Sequence, residues 1–200
     1  MASYTIRKGR IEDCDALFEL AMKLRVHTGD SVFGGPVTTE EILSSIFLTV
    51  LREDGFGPLP RYRFYLAIYS PPENGPKTTE KEKAVGFAGL SDMFCPLSGR
   101  TSYLTGLFVD AEHRGNHLGV ALMKAVAQDC VKQRSSRLSF AVDTNDLNTR
   151  KFYAAIGATN LTESTCPNEY WRFFEPNIRK LATGDELKSS CGKTIAFKTD

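Results

Sequence analysis

Residues 103–133 read YLTGLFVDAEHRGNHLGVALMKAVAQDCVKQ, and this stretch decides the fold. YLTGLFV is apolar nearly throughout, which predicts a central strand covered on both faces. The loop that follows, DAEHRGNHLG, holds Gly115 and Gly119, which allow a ligand close to the backbone. Beyond it Leu118, Ala121, Leu122, Ala125 and Val126 fall on one helical face, so residues 118–133 are read as a helix. A strand that turns directly into a helix leaves the first helical amides unpaired at the positive end of the helix dipole, and an anion belongs there. Taken alone, the R-G-x-x-x-G spacing of residues 114–119 says little more than strand-to-helix turn.

Toward the N-terminus, SYTIR alternates as a strand. In IEDCDALFELAMKLRVH, Leu17, Leu20, Ala21 and Leu24 lie at i, i+3, i+4 and i+7 and line one face of a helix. HTGDSVFGGP is a loop punctuated by glycines and Pro36, and Thr38 with Glu41 then makes a capping-box pattern for a second helix, TTEEILSSIFLTVLRED. RYRFYLAIYS and AVGFAGLSDMF read as two strands joined by the polar excursion PPENGPKTTEKEK. Toward the C-terminus, RLSFAVD is a strand, NTRKFYAAIG a short helix closed by Gly157, and YWRFFEP a last strand. The order β-α-α-β-β-β-α-β-α-β predicts an α/β fold with a mixed sheet layered against helices. Residues 183–200, TGDELKSSCGKTIAFKTD, read as a polar tail.

With 25 basic and 24 acidic side chains in 200 residues the formal charge is +1, which gives no reason to expect nucleic acid or an anionic membrane as a partner. A chain of this length buries roughly 70% of its unfolded surface and needs no disulfide or metal staple. Cys14, Cys95, Cys130, Cys166 and Cys191 are odd in number and scattered, which argues against a disulfide framework or zinc site and for a reducing compartment. His113 and His117 lie four apart without the flanking Cys or Glu that would complete a metal site, so no metal is expected. MASYTIRKGRIEDCDAL has no apolar leader, and no run approaches the roughly 18 apolar residues that span a bilayer. A cytosolic or nuclear protein is read, with the cytoplasm as its expected location.

Together with the strand FAVD, the helix NTRKFYAAIGA and the preceding hairpin, the opening stretch resembles the GNAT superfamily of acetyl-CoA-dependent N-acetyltransferases, whose pyrophosphate loop reads R/Q-x-x-G-x-G/A. The pieces DC, REDGFGPLPRY, VGFA, YLTGLFV, EHRG, RKFYAAIGATNLT and EYWRFFEP further resemble the diamine acetyltransferases, among them the spermidine/spermine and thialysine N-acetyltransferases, over residues 4–182. The resemblance implies one domain over residues 1–182, with a GNAT-type central mixed, mostly antiparallel sheet flanked by helices. It also implies acetyl-CoA as cosubstrate, a small-molecule amine as acceptor, and a homodimer. The segment Arg114, Gly115, Asn116, His117, Leu118, Gly119 and Val120 would cradle the CoA pyrophosphate, with the Arg114 side chain adding charge-assisted bonds. Leu107, Phe108 and Val109 would offer backbone groups to the pantetheine arm, one N–H polarising the thioester carbonyl. Asp146, Asn148 and Thr149 would line the far side of the arm, and Tyr153 stands where the family's phenol protonates the departing thiolate. Phe152 is assigned to the core.

Departures from the family pattern carry equal weight. Where the loop has a glycine this chain has His117, and a side chain there calls for right-handed backbone with the imidazole turned from the phosphate, unless the ring adds a donor to it. The acidic pair that the family places in this strand, thought to relay the amine proton, is here Thr105 and Gly106; neither can act as a base, and Thr105 is assigned with Glu169 and Trp171 to substrate binding. An amine arrives protonated, with a pKa near 10, so another group must take its proton; Asp92, Asp143, Glu169 and a water chain are the candidates. The family's acid and aromatic in the preceding turn are replaced by Cys95-Pro96-Leu97, while Glu169 and Trp171 stand at its acidic and tryptophan positions. One carboxylate and one indole can hold a single ammonium, which favours a short amine or amino-acid side chain over a polycation. Two other readings stay open: an acyl-CoA-binding sensor without turnover, and an acetyltransferase acting on a protein amine.

Overall fold

The computed structural model describes residues 3–28, 40–58, 60–72, 82–97 and 99–162, with backbone alone over residues 40–46. β1 (Ser3–Lys8), β2 (Tyr62–Ser70), β3 (Lys83–Cys95) and β4 (Gly99–Val109) pair antiparallel in sequence order, and β5 (Leu138–Ser139) joins β4 in parallel. Among the described residues four α-helices flank this sheet: α1 (Cys14–Thr28), α2 (Glu40–Asp54), α3 (Leu118–Lys132) and α4 (Leu147–Ala155). The α/β fold with a mixed sheet predicted by the chain order, and the mostly antiparallel pairing implied by the resemblance, are therefore observed.

Strand alternation distributes the side chains to two faces. Phe64, Leu66 and Ile68 of β2 point to one face, where Cys14, Leu17 and Leu20 of α1, Leu51 of α2, Phe87 of β3 and Phe108 of β4 close a core. Ala21 and Leu24, the rest of the α1 stripe, pack against it. On the other face α3 lies across β2, β3 and β4 and buries Leu118, Leu122 and Val126. Truncating a fully buried leucine such as Leu66 to alanine costs about 2–5 kcal/mol.

Two readings of the strands are corrected. β3, not β4, is the central strand covered on both faces, with residues 85–90 all buried. β4 keeps Thr105 exposed and several neighbours half-buried. The strand read as RLSFAVD contributes only Leu138 and Ser139, opposite Ser102 and Tyr103. The cause lies in β4. Gly89 pairs with Gly106 and Leu90 with Leu104, so Thr105 is an extra residue, and such a bulge bends and twists its strand. Past Tyr103, β4 therefore has β3 as its only strand partner among the described residues.

Met1–Ile156 forms one compact unit. The second unit, Gly157–Asp200, is described over residues 157–162, which begin with a turn at Gly157. The capping residue Thr38, most of the polar excursion, the last strand YWRFFEP and the tail lie outside the described residues. Among the described residues Cys14 and Cys130 are free thiols, and no helix is long and apolar enough to cross a membrane.

Candidate active site

β4 ends at Val109 and a short 3-10 turn, Ala111–His113, leads into the loop before α3. Over residues 115–120 no amide donates to a backbone carbonyl among the described residues; the first helical bond runs from Ala121 N–H to the His117 carbonyl, 3.0 Å. These are the orphan donors of a helix start, in an unbroken row. Gly115 takes φ 81° with open space where a Cβ would stand, which keeps the row reachable. His117 has φ 57° and ψ 15°, so the expectation of right-handed backbone is overturned. The loop needs a left-handed residue there, which is the conformation a glycine supplies most easily, and histidine is among the few side chains that tolerate it.

The loop is braced from both sides. Asn116 Nδ2 donates to the carbonyls of His113 (3.1 Å) and Arg114 (3.4 Å). His113, 8% exposed, shares a 3.0 Å hydrogen bond with Tyr4 Oη through Nδ1, and its ring lies against those of Tyr4 and Tyr69. Arg114 turns back toward the strand, with Nε donating to the Val109 carbonyl at 3.0 Å and the guanidinium 5.8 Å above the Phe108 ring. Its terminal nitrogens keep no partner among the described residues, so they stay available to an anion, whereas the Val109 carbonyl is already engaged. Leu118 is buried and offers its backbone only; Val120 is exposed on the first turn of α3.

α4 approaches the same loop. Phe152, assigned to the core from sequence, lies where a Cβ on Gly119 would be 3.4 Å from its ring, so Gly119 serves this contact. Asp146 caps α4, accepting from Thr149 N–H (2.9 Å) and Oγ1 (2.6 Å), which holds its carboxyl below the usual carboxylate range. The polar groups of Asp146 and Thr149 are thus directed at each other, while Asn148 is exposed. Tyr153, 8% exposed, packs on Phe140 with ring centroids 4.3 Å apart, and burial pushes its phenol up to about 12. No hydrogen bond joins its hydroxyl to the described residues.

Among the candidate bases, Asp92 is held in an ion pair with Arg63. It accepts two hydrogen bonds from Arg63, at 3.0 and 2.8 Å, and one from Ser102, and Arg63 holds its carboxyl below the usual range. Asp143 accepts the Asn145 N–H at 2.9 Å within a turn. Glu169 and Trp171 lie outside the described residues. Thr105 is exposed at the bulge, and a Cβ on Gly106 would meet Leu24 and Phe87 at 3.2 Å. Sequence reasoning missed the His113 brace and the Phe152 contact. An acid on an apolar helical face was a usable signal for one further feature: Asp129, three residues after Val126, is buried and bonds Arg63 Nε at 2.8 Å.

The model of the acetyltransferase (GNAT) family matches residues 44–158. The chain belongs to the GNAT acetyltransferase family. It is similar to the thialysine N-epsilon-acetyltransferases of Bos taurus and Mus musculus, each 27% identical over 91% of this chain and 99% of the relative. Among solved structures it resembles an integron cassette protein from the mobile metagenome of V. cholerae, with TM-score 0.65 and 26% identity over 91% of this chain and 99% of that one. A predicted acetyltransferase from Clostridium acetobutylicum, solved with acetyl-CoA, shares the fold at TM-score 0.57 and 14% identity, over 83% of this chain and 96% of that one. This GNAT enzyme is accordingly an acetyl-CoA-dependent N-acetyltransferase acting on an amine. Among the described residues no cluster of His, Cys, Asp or Glu is placed to hold a metal ion.

Proposed function

We propose that the chain acetylates the primary amine of a small diamine or lysine-like amino acid, of the thialysine class. The row of unpaired amides over residues 115–120 carries the cofactor half of this reading, because it fits a diphosphate and leaves those donors without a role otherwise. In this reading the amides and the terminal nitrogens of Arg114 hold the pyrophosphate. The backbone of Leu107 and Phe108, on the stretch of β4 that β5 does not cover, faces the pantetheine arm, and one N–H there stabilises the oxyanion. Bound acetyl-CoA supplies an activated thioester. Tyr153 gives its proton to the leaving sulfur, a role that suits a phenol kept protonated by burial. Asn148 lines the far side of the arm.

For the acceptor, the similarity to thialysine N-epsilon-acetyltransferases supports a single side-chain amine. The end of β3 and the turn after it agree with this: Phe94 and Leu97 are 79% and 96% exposed and carry no anion for a second ammonium. Glu169 and Trp171 are assigned to hold the one that remains. The resemblance extends the reading to a cytoplasmic homodimer with a domain over residues 1–182, which analytical ultracentrifugation of the full chain and of residues 1–182 checks. Release of CoA is the test of function, measured with thialysine, lysine, putrescine, spermidine and short peptides. Turnover of thialysine or lysine above the polyamines supports the reading. CoA binding without release for any amine would instead identify a sensor, and preference for peptides a protein acetyltransferase.

A further inference from the structure

Thr105, the bulge residue of β4, has no partner on β3 and is exposed. Its Oγ1 donates to Tyr62 Oη at 3.4 Å. Tyr62 opens β2 with its ring stacked on Phe64, centroids 6.2 Å apart and planes 29° from parallel. The phenol reaches Thr105 by passing directly over β3 at Gly89. A Cβ on Gly89 would stand 1.9 Å from Tyr62 Oη and 2.8 Å from Thr105 Oγ1, so only glycine admits the pair. Three strands thus contribute one residue each to a single arrangement: a hydroxyl, the space for it, and a second hydroxyl at the mouth of the uncovered stretch of β4.

Among the described residues no charged side chain touches this pair. Burial pushes the Tyr62 phenol up, opposed only by the Thr105 hydrogen bond, and no charge contributes among the described residues. Of the charged groups on the neighbouring elements, Arg61 pairs with Asp54, Arg63 with Asp92 and Asp129, and Lys23 of α1 with Asp110, while the imidazole of His27 at the end of α1 lies against Phe108, ring centroids 6.4 Å apart. Beside Gly106 stand Leu24 and Phe87. Neither hydroxyl can store a proton from an ammonium, nor offer it a compensating charge. Both can accept an N–H from a neutral amine.

We propose that Tyr62 and Thr105 form the receiving site for the acceptor nitrogen, and that this site takes the amine only as its free base. The inference rests on the acetyl-transfer reading above and names the acceptors it suits: amines with a substantial neutral fraction near pH 7. An amine of pKa near 10 is about 0.1% neutral there, so each unit of lowered pKa raises the competent fraction about tenfold. The ammonium proton passes to bulk water before binding. The nitrogen lone pair, aimed by its N–H bonds to the hydroxyls, forms the C–N bond as the C–S bond breaks. Tyr153 protonates the sulfur, and the proton shed by nitrogen restores the phenol through water. Tyr62 and Thr105 thus hold the nitrogen without taking a proton from it.

The test follows kcat/KM for the acceptor from pH 6 to 10 with a series of primary amines of graded pKa, thialysine and lysine included. The expected break in the profile moves with the pKa of the amine. Tyr62→Phe, which keeps the stacked ring, and Thr105→Val are each expected to raise the acceptor KM about 3- to 10-fold, the range of one neutral hydrogen bond. The acetyl-CoA KM and the Tm should hold, and Thr105→Ser should restore the wild-type KM. Thr105→Glu should lower the break for lysine by adding a base. A break fixed at one pH for every amine would reveal a protein base and overturn the inference while the acetyl-transfer reading stands; so would an acceptor KM unmoved in both Tyr62→Phe and Thr105→Val. If no amine releases CoA at any pH, both fall together.

Discussion

His117 holds its left-handed conformation without a side-chain cap on α3, so the strain is met by the surrounding loop alone. His117→Val is expected to cost about 1–2 kcal/mol, because a β-branched residue tolerates that region least. His117→Gly should stay within about 0.5 kcal/mol of wild type, relief of strain being offset by the greater freedom of glycine in the unfolded chain. Urea unfolding of the two variants measures the contrast. At Tyr153, replacement by phenylalanine keeps the ring on Phe140 and removes only the proton donor. The expected loss in kcat is about 10- to 1000-fold with acetyl-CoA affinity unchanged, read from steady-state kinetics and direct titration. Since burial raises the phenol to about 12, it remains a donor throughout the neutral and moderately alkaline range, and Tyr153 itself should cause no fall in rate up to about pH 10. Both residues were legible as positions in a motif. The backbone state of His117 was not, because a dihedral is set by the whole loop rather than by residue type.

At the scale of elements, α3 is fastened to the sheet by a charged cluster as well as by leucines. Arg63 of β2, 3% exposed, bonds Asp129 of α3 and Asp92 of β3, and Tyr65 Oη donates to Asp129 at 3.1 Å. Asp129→Ala is expected to destabilise by about 3–5 kcal/mol, since it strips a partner from a buried guanidinium. Replacing Arg63 and Asp129 together by apolar residues of similar size should recover part of that loss, which a double-mutant cycle in denaturant reads. Asp92 adds a pH dependence of known sign. Its folded pKa lies below the ordinary 3.8, so its stabilisation is complete above that value and is lost as pH falls through the lower folded value. Denaturation midpoints between pH 5 and 2 follow this. Helices and most strands were legible because periodicity is local: Leu17 and Leu20, or Leu118 and Leu122, report their own face. The shortness of β5 was not, because it depends on a bulge at Thr105 that only the pairing of two distant strands defines.

For the whole molecule, ligand binding and stability are linked. CoA at 100 times its Kd should stabilise the native state by about 2.7 kcal/mol. For a chain of this size that raises Tm by about 5–10 °C in a thermal-shift measurement. Gly115→Trp places a bulky side chain at φ 81° in the row of free amides, and is expected to remove most of the shift while the rest of the sheet still melts cooperatively. The layered fold was readable from the sequence as a whole, whereas the site arises from what adjoining elements leave unpaired. The parting of β4 from β5 has a consequence for the ligand-free protein. Past Tyr103 no second strand among the described residues pairs with β4, and such a main-chain edge can adopt any extended partner as though it were the missing strand. The cofactor arm would then act as a removable edge guard. Amide deuteration along residues 104–109 should slow when CoA is present, and the apo protein should be the form more prone to stack edge to edge on storage.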